Sequence, residues 1–410
     1  MVVLVDYVRE EMMRVLYAEA VYGEDEINAV LNVLKNQSHS LMTSENVLKL
    51  ESKVSDLFGH TYGIMVNSGS SANLLALQSL ELPEKSEVIT PALTFATTLA
   101  PIVQSNLVPV FIDCKKNTFN IDTELIEAQI TTRTKALMIP NLIGNVANLP
   151  EIKKIAKKNN LIVIEDSADT IGHTINNEKT GNFSDLSTTS FYASHIITGA
   201  GFGGMVVTSN DNYRKNCQLL RGWGRDSSII GETENIDTRT SVFLEDIRYD
   251  AKFIFSKLGY NFLPSEISAA FALVQASKLQ QNIEQRIKNF DRLQEIFGEF
   301  KDFFITPEKL SKSRSPWLAY PFTIKDNKKF NRSEFQIYLE KNNIQTRTVF
   351  TGNALKHPAF SKIESVKSSN GYPESDRVMR NGILIGLHNG LNDDHLDYVE
   401  STIKNFIKSI

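Results

Sequence analysis

Apolar residues recur every three to four positions through EDEINAVLNVLKN (24–36) and again through SENVLKLESKVSDLFG (44–59). That spacing predicts two amphipathic helices, with Ser44 as N-cap of the second. From residue 62 the pattern changes. Short apolar and β-branched runs alternate with helical stretches: YGIMVNSG, SSANLLALQSL, EVITPAL, VPVFIDC, KALMIPNL, LIVIEDSAD, LSTTSFYAS and GGMVVTS. Seven of these read as strands. Strands interleaved with helices predict a mostly parallel sheet covered on both faces. Such sheets bind ligands beyond the carboxyl ends of their strands.

After residue 209 the alternation stops. NYRKNCQLLRGWGR predicts a helix ending in a turn. Residues 225–252 are polar, charged and aperiodic, and read as a long loop, either a lid or a partner-contact segment. SEISAAFALVQASKLQQNIEQRIKNFDRLQEIFGEF predicts a long helix, interrupted or bent. Beyond about residue 301, AYPFTI and GILIGL read as strands, and NRSEFQIYLEKN and DDHLDYVESTIKNFIKSI as helices. The expected organisation has three parts: a leading helical segment (1–43) packed on the small domain, a large domain (44–275), and a small C-terminal α+β domain (276–410).

Composition acts mainly by exclusion. A net charge of −4 gives no electrostatic footprint for nucleic acid or an anionic membrane. No apolar run reaches about 18 residues, and the first residues lack a basic n-region followed by a cleavage site; a cytoplasmic protein is expected. The two cysteines, Cys114 and Cys217, form no spaced cluster. They read as buried thiols of a reducing compartment and cannot supply four ligands to an iron–sulfur cluster.

Candidate chemistry gathers at strand ends. NSGSSAN (67–73) joins a strand to a helix, where backbone N–H groups form an anion site and Gly69 allows close approach. EDSAD (165–169) ends the most apolar strand; Asp166 there can pair with a protonated ring nitrogen and keep that ring an electron sink. Phe95 follows another strand end and can stack on a planar ring. Ser190 and His195 bracket the next, the hydroxyl suited to a phosphate and the imidazole to proton transfer. Each has a plainer explanation: an N-cap, a surface acid, a core aromatic, a hydrogen-bonded structural imidazole. Their joint order along the chain carries the weight.

The succession NSGSSANLLAL, TPALTFATT, LIVIEDSAD, TTSFYASH and LGYNFLPSEISAA resembles the sugar aminotransferase family of fold-type I pyridoxal-phosphate enzymes, from about residue 20 to the C-terminus. The resemblance implies an α/β fold: a large domain with a mostly parallel seven-stranded sheet and a small α+β domain. In that family a lysine follows the SFY strand and holds the cofactor as a Schiff base. Here His195 stands in its place. The only lysine between Asp166 and Gly204 is Lys179, upstream in what reads as a hairpin.

Histidine for lysine marks the branch of nucleotide-linked 4-keto-6-deoxyhexose 3-dehydratases. The stretches VNSGSSANLLAL, VITPALTFATTLAPIVQ, RGWGRD and SDRVM are similar to members acting on a CDP-linked sugar. Where those carry cluster cysteines, this chain has Ser167, Ala168, Ser227, Ser228 and Ile229. The turn GAGFGG is one residue longer than the branch's G-E-G-G. The resemblance implies a pyridoxal/pyridoxamine-phosphate enzyme without an iron–sulfur cluster, removing the C3 hydroxyl in 3,6-dideoxysugar biosynthesis. A CDP- or GDP-linked substrate, glutamate as amine donor and a homodimer with shared sites are implied with it.

Carried over residue by residue, the phosphate falls to Gly69, Ser70 and Ser190, with Asn261 reaching it from the other subunit. Phe95 stacks on the ring, Asp166 pairs with its nitrogen, and Asp169 lies near its phenolic oxygen. His195 is the base, and Arg347 meets a substrate or glutamate carboxylate. An aminotransferase-like enzyme on another nucleotide sugar, and a non-catalytic nucleotide-sugar binder, stand as alternatives.

Overall fold

The computed structural model describes residues 13–38, 40–230, 235–326 and 329–410. Its centre is the expected seven-stranded sheet: β1 (Tyr62–Val66), β2 (Glu87–Pro91), β3 (Val108–Ile112), β4 (Thr134–Pro140), β5 (Ile162–Ser167), β6 (Leu186–Ser190) and β7 (Gly204–Thr208). The spatial order is β1-β7-β6-β5-β4-β2-β3. β7 runs antiparallel to both neighbours, and every other pair is parallel. The strands are buried on both faces; β3 accordingly reads as a continuous apolar run, whereas β6 buries Ser and Thr.

The helices that cover this sheet are α1 (Glu24–Asn36), α2 (Glu45–Phe58), α3 (Gly69–Gln78), α4 (Ala96–Gln104), α5 (Leu149–Asn159), α6 (Asp211–Arg221) and α7 (Glu266–Ser277). The long helical pattern breaks at Lys278, after which α8 (Leu279–Glu299) leads into the small domain. Ser44 does occupy the N-cap of α2, but its side chain makes no capping bond. Glu266, far along the chain, does that work. Its carboxylate accepts the backbone N–H groups of Ser44 (2.6 Å), Asn46 (2.9 Å) and Val47 (3.0 Å).

Residues 225–252 differ from the expected loop. Two short helical turns (227–230 and 236–239) precede a hairpin of β8 (Val242–Leu244) and β9 (Ile247–Tyr249). The hairpin is exposed and too short to show a period, which is why its sequence carries no strand signal.

The small domain has a mixed-order antiparallel sheet of β10 (Ala319–Ile324), β11 (Thr346–Thr348) and β12 (Gly382–Gly386), with Phe304–Ile305 on the edge of β10. With α8 pack α9 (Arg332–Lys341), α10 (Pro373–Asn381) and α11 (Asp393–Lys408). The core between them is aromatic, with Phe297, Phe304, Phe322, Phe335, Trp317 and Tyr320 all buried.

The leading segment divides. Val15 to Tyr17 run along the small sheet, Val15 bridging Ile344, whereas α1 lies against α7 of the large domain. Residues 1–12, part of the segment expected to be helical, lie outside the described residues. Among the described residues no helix is long and apolar enough to cross a membrane.

Candidate active site

The carboxyl ends of β4, β5 and β6 and the turn before α3 open onto one cavity of about 490 Å³. Gly69, Ser70, Phe95, Asp166, Asp169, Ser190, His195 and Arg347 all line it. The chain order read from the sequence is therefore also a spatial cluster.

The anion end is built first. Ser68 caps α3, its Oγ accepting the Ser71 N–H (3.1 Å). The N–H groups of Gly69 and Ser70 lie in the first helical turn, where donors have no intrahelical partner. Ser190, the last residue of β6, sits directly against this turn. A Cβ on Gly69 would fall 2.6 Å from the Ser190 Cβ, so only glycine admits the contact.

Asp166 closes the opposite end. Its Oδ2 accepts bonds from Thr98 Oγ1 (2.7 Å) and Asn73 Nδ2 (2.8 Å), and its Oδ1 from the Ala168 N–H (3.1 Å). Asn73 is held in turn by the Thr188 hydroxyl (2.5 Å). These donors fix the carboxylate, yet burial still raises its pKa. A cation beside it would stabilise the ionised form.

Asp169 and His195 face each other, Oδ1 and Nε2 3.9 Å apart. Burial raises Asp169 to about 7 and lowers His195 to about 4, so the imidazole is neutral at physiological pH. The Asp169 Oδ2 accepts the N–H of Ile143 (2.9 Å). Ile143 has φ +61°, an unfavourable conformation for a β-branched residue, and the Leu318 N–H holds its carbonyl at 2.8 Å. The His195 Nδ1 is buried without a hydrogen-bond partner among the described residues. Nε2 is the nitrogen that faces Asp169, and the Ser190 backbone bears on the ring.

Aromatic side chains form the walls. Phe95 is 51 % exposed and meets Phe350 edge-on, with centroids 5.6 Å apart. Tyr192 packs edge-on against His195. Arg347 reaches the cavity from β11, its guanidinium 5.2 Å from the centroid of the Tyr17 ring. Phe202, in the GAGFGG turn, projects into the mouth and is 69 % exposed.

Asn261 is the one expected site residue outside this cavity. It lies exposed beside Gly222, on the segment whose Phe262 carbonyl accepts the Asn67 N–H. Lys179 is also remote, paired with Asp56, and among the described residues no lysine lines the cavity. Sequence reasoning missed Asn73, Thr98, Ile143, Tyr192, Phe350 and Tyr17. Asn73 lay within the quoted turn, and a polar residue one helical turn beyond a cap was a usable signal. Tyr17 sits at no strand end and gave none.

The chain is 37% identical over 367 residues to the lipopolysaccharide biosynthesis protein RfbH of Salmonella typhimurium, covering 87% of this chain and 84% of that one. It is 36% identical over 373 residues to dTDP-4-dehydro-2,6-dideoxy-D-glucose 3-dehydratase of Saccharopolyspora spinosa, covering 88% and 80%. Among solved structures it superposes on a GDP-4-keto-6-deoxymannose 3-dehydratase holding a trapped PLP–glutamate geminal diamine. There the TM-score is 0.83, with 29% identity and coverage of 94% and 99%. The family model for DegT/DnrJ/EryC1/StrS aminotransferases matches residues 21–404. With that match across most of its length, the chain belongs to the DegT/DnrJ/EryC1/StrS aminotransferase family.

Proposed function

We propose that this protein is a pyridoxal/pyridoxamine-phosphate-dependent 3-dehydratase of a nucleotide-linked 4-keto-6-deoxyhexose. The observation that carries the reading is His195: an imidazole stands at the strand end where the family's tethering lysine is expected, in a cavity that every other expected site residue except Asn261 also lines.

The residues present fit the cofactor. An anion cradle, a buried carboxylate and an exposed aromatic surround one cavity, and the buried imidazole keeps an unpartnered nitrogen. The N–H groups of Gly69 and Ser70 and the hydroxyl of Ser190 hold the phosphate. Phe95 would cover the ring, Asp166 would keep its nitrogen protonated, and Asp169 would serve the side of its phenolic oxygen. When bound, pyridoxal phosphate supplies a conjugated electron sink next to the carbon that bears the amine. His195, neutral and shielded, takes a proton through Nε2 and returns it there. An imidazole forms no lasting bond to an aldehyde, so it moves protons without competing for the cofactor. That bias favours loss of the C3 hydroxyl over simple amine transfer.

The nucleotide is CDP or GDP, glutamate restores the amine form, and Arg347 meets a carboxylate or phosphate at the mouth. A homodimer completes the site through Asn261 of the second copy. The exposed hairpin and its flank support that assembly: Phe243, Ile247, Phe253 and Phe255 all face solvent, and Leu258 is 98 % exposed.

The test is product mass. Purified protein with the cofactor, glutamate and either nucleotide-linked 4-keto-6-deoxyhexose should release a 3-deoxy product. A product that has gained an amine instead would make the protein an aminotransferase. No turnover of these sugars, nor of the dTDP-linked 4-keto sugar that the 36% identical relative is named for, by the cofactor-loaded protein would reject both readings.

A further inference from the structure

Val15 to Tyr17 run along the small domain and are pinned to it at every residue. The Val15 N–H donates to the Asn343 carbonyl (3.0 Å), and the Val15 carbonyl accepts the Gln345 N–H (2.9 Å). His388 Nε2 lies 3.2 Å from the Leu16 carbonyl. The Tyr17 N–H donates to Gln345 Oε1 (3.1 Å). At Gly386 the strand passes so close that a Cβ would lie 2.0 Å from the Leu16 carbonyl oxygen. Such anchoring fixes the direction of one side chain, Tyr17, which lines the cavity.

The tyrosine is half-buried, and Arg347 lies over its ring. Among the described residues its hydroxyl has no hydrogen-bond partner. A phenol in such a place needs a partner when water is displaced, because a desolvated and unpaired hydroxyl costs free energy. Burial, with a smaller contribution from Asp169, raises the Tyr17 pKa, so the phenol stays protonated, and so a donor, at any physiological pH. Asp169 in turn faces His195. Tyr17, Asp169 and His195 line the same cavity.

We propose that Tyr17 is a specificity-determining residue whose hydroxyl donates a hydrogen bond to an oxygen of the bound hexose. The assignment rests on the nucleotide-sugar reading above and deepens it. Arg347 lies over the ring, and the backbone that carries it is pinned to the small domain. The phenol thereby selects sugars that carry an acceptor at one position.

The experiment is Tyr17→Phe in the cofactor-loaded protein, with calorimetric titration of CDP- and GDP-linked 4-keto-6-deoxyhexose and of each nucleoside diphosphate alone. Affinity for the intact substrate should fall about tenfold, the worth of one hydrogen bond at a desolvated site. Affinity for the diphosphate alone, the cofactor spectrum and the melting midpoint should stay as in the parent protein. Equal affinities for the sugar, an equal loss for the diphosphate alone, a changed cofactor spectrum, or no sugar binding by either protein would overturn the assignment. A tenfold difference without any deoxygenated product would instead count against the dehydratase reading and leave Tyr17 as a sugar contact.

Discussion

His195 and Asp169 are pushed in opposite directions by the same burial, and the consequence is measurable. Folded His195 titrates near 4 against its ordinary 6.5, so between those values it binds fewer protons folded than unfolded. Its contribution to stability rises with pH there. Folded Asp169 titrates near 7 against 3.8, so it binds more protons folded, and its contribution falls as pH rises. In the cofactor-free protein the two slopes oppose each other between about pH 4 and 6.5. Asp169→Asn removes the falling slope. Urea unfolding of that variant should therefore gain on the parent protein as pH rises from 4 to 7, by up to about 1.4 kcal/mol per pH unit. Parallel stability curves would show that Asp169 ionises normally. At this scale the sequence was informative where a polar residue follows an apolar run in a strand, as with Asp166. It was silent about Ile143, whose strained backbone holds Asp169, because the contact that fixes it comes from Leu318, 175 positions away by sequence number.

Among elements, the strands and long helices were legible because burial on one or both faces imposes a period. The cap of α2 shows where local reading ends. Ser44 has the right residue type, but Glu266 supplies the acceptors, and no spacing rule links residues 222 positions apart. The β8–β9 hairpin was illegible for a different reason. Its side chains face solvent in this chain, so no core dictates their pattern. The same exposed aromatics, close in sequence to Asn261, favour a second copy as their cover. A complementation experiment tests that arrangement. His195→Asn and Asn261→Ala should each be strongly impaired alone. Refolded together, they should regain about a quarter of parental activity, since half the dimers then carry one intact site of two. Activity no higher than the sum of the two variants would place Asn261 outside any shared site.

The whole molecule joins a parallel sheet that supplies the anion cradle, the carboxylates and the imidazole to a small domain that supplies Arg347. The pinned Tyr17 segment lies along that small domain. The large-domain half was readable from alternating strands and helices, because sheet topology sends strand ends to one edge. The contribution of residues 15–17 was not, since it arises from the small sheet gripping an extended segment with no period of its own. The account turns on an untethered cofactor beside His195. Borohydride reduction of the protein loaded with one equivalent of pyridoxal phosphate, followed by mass spectrometry of the digested chain, tests this most directly. The parent protein should show no cofactor adduct on any lysine, while His195→Lys should carry a stoichiometric adduct at residue 195. A stoichiometric adduct on a lysine of the parent protein would contradict the account.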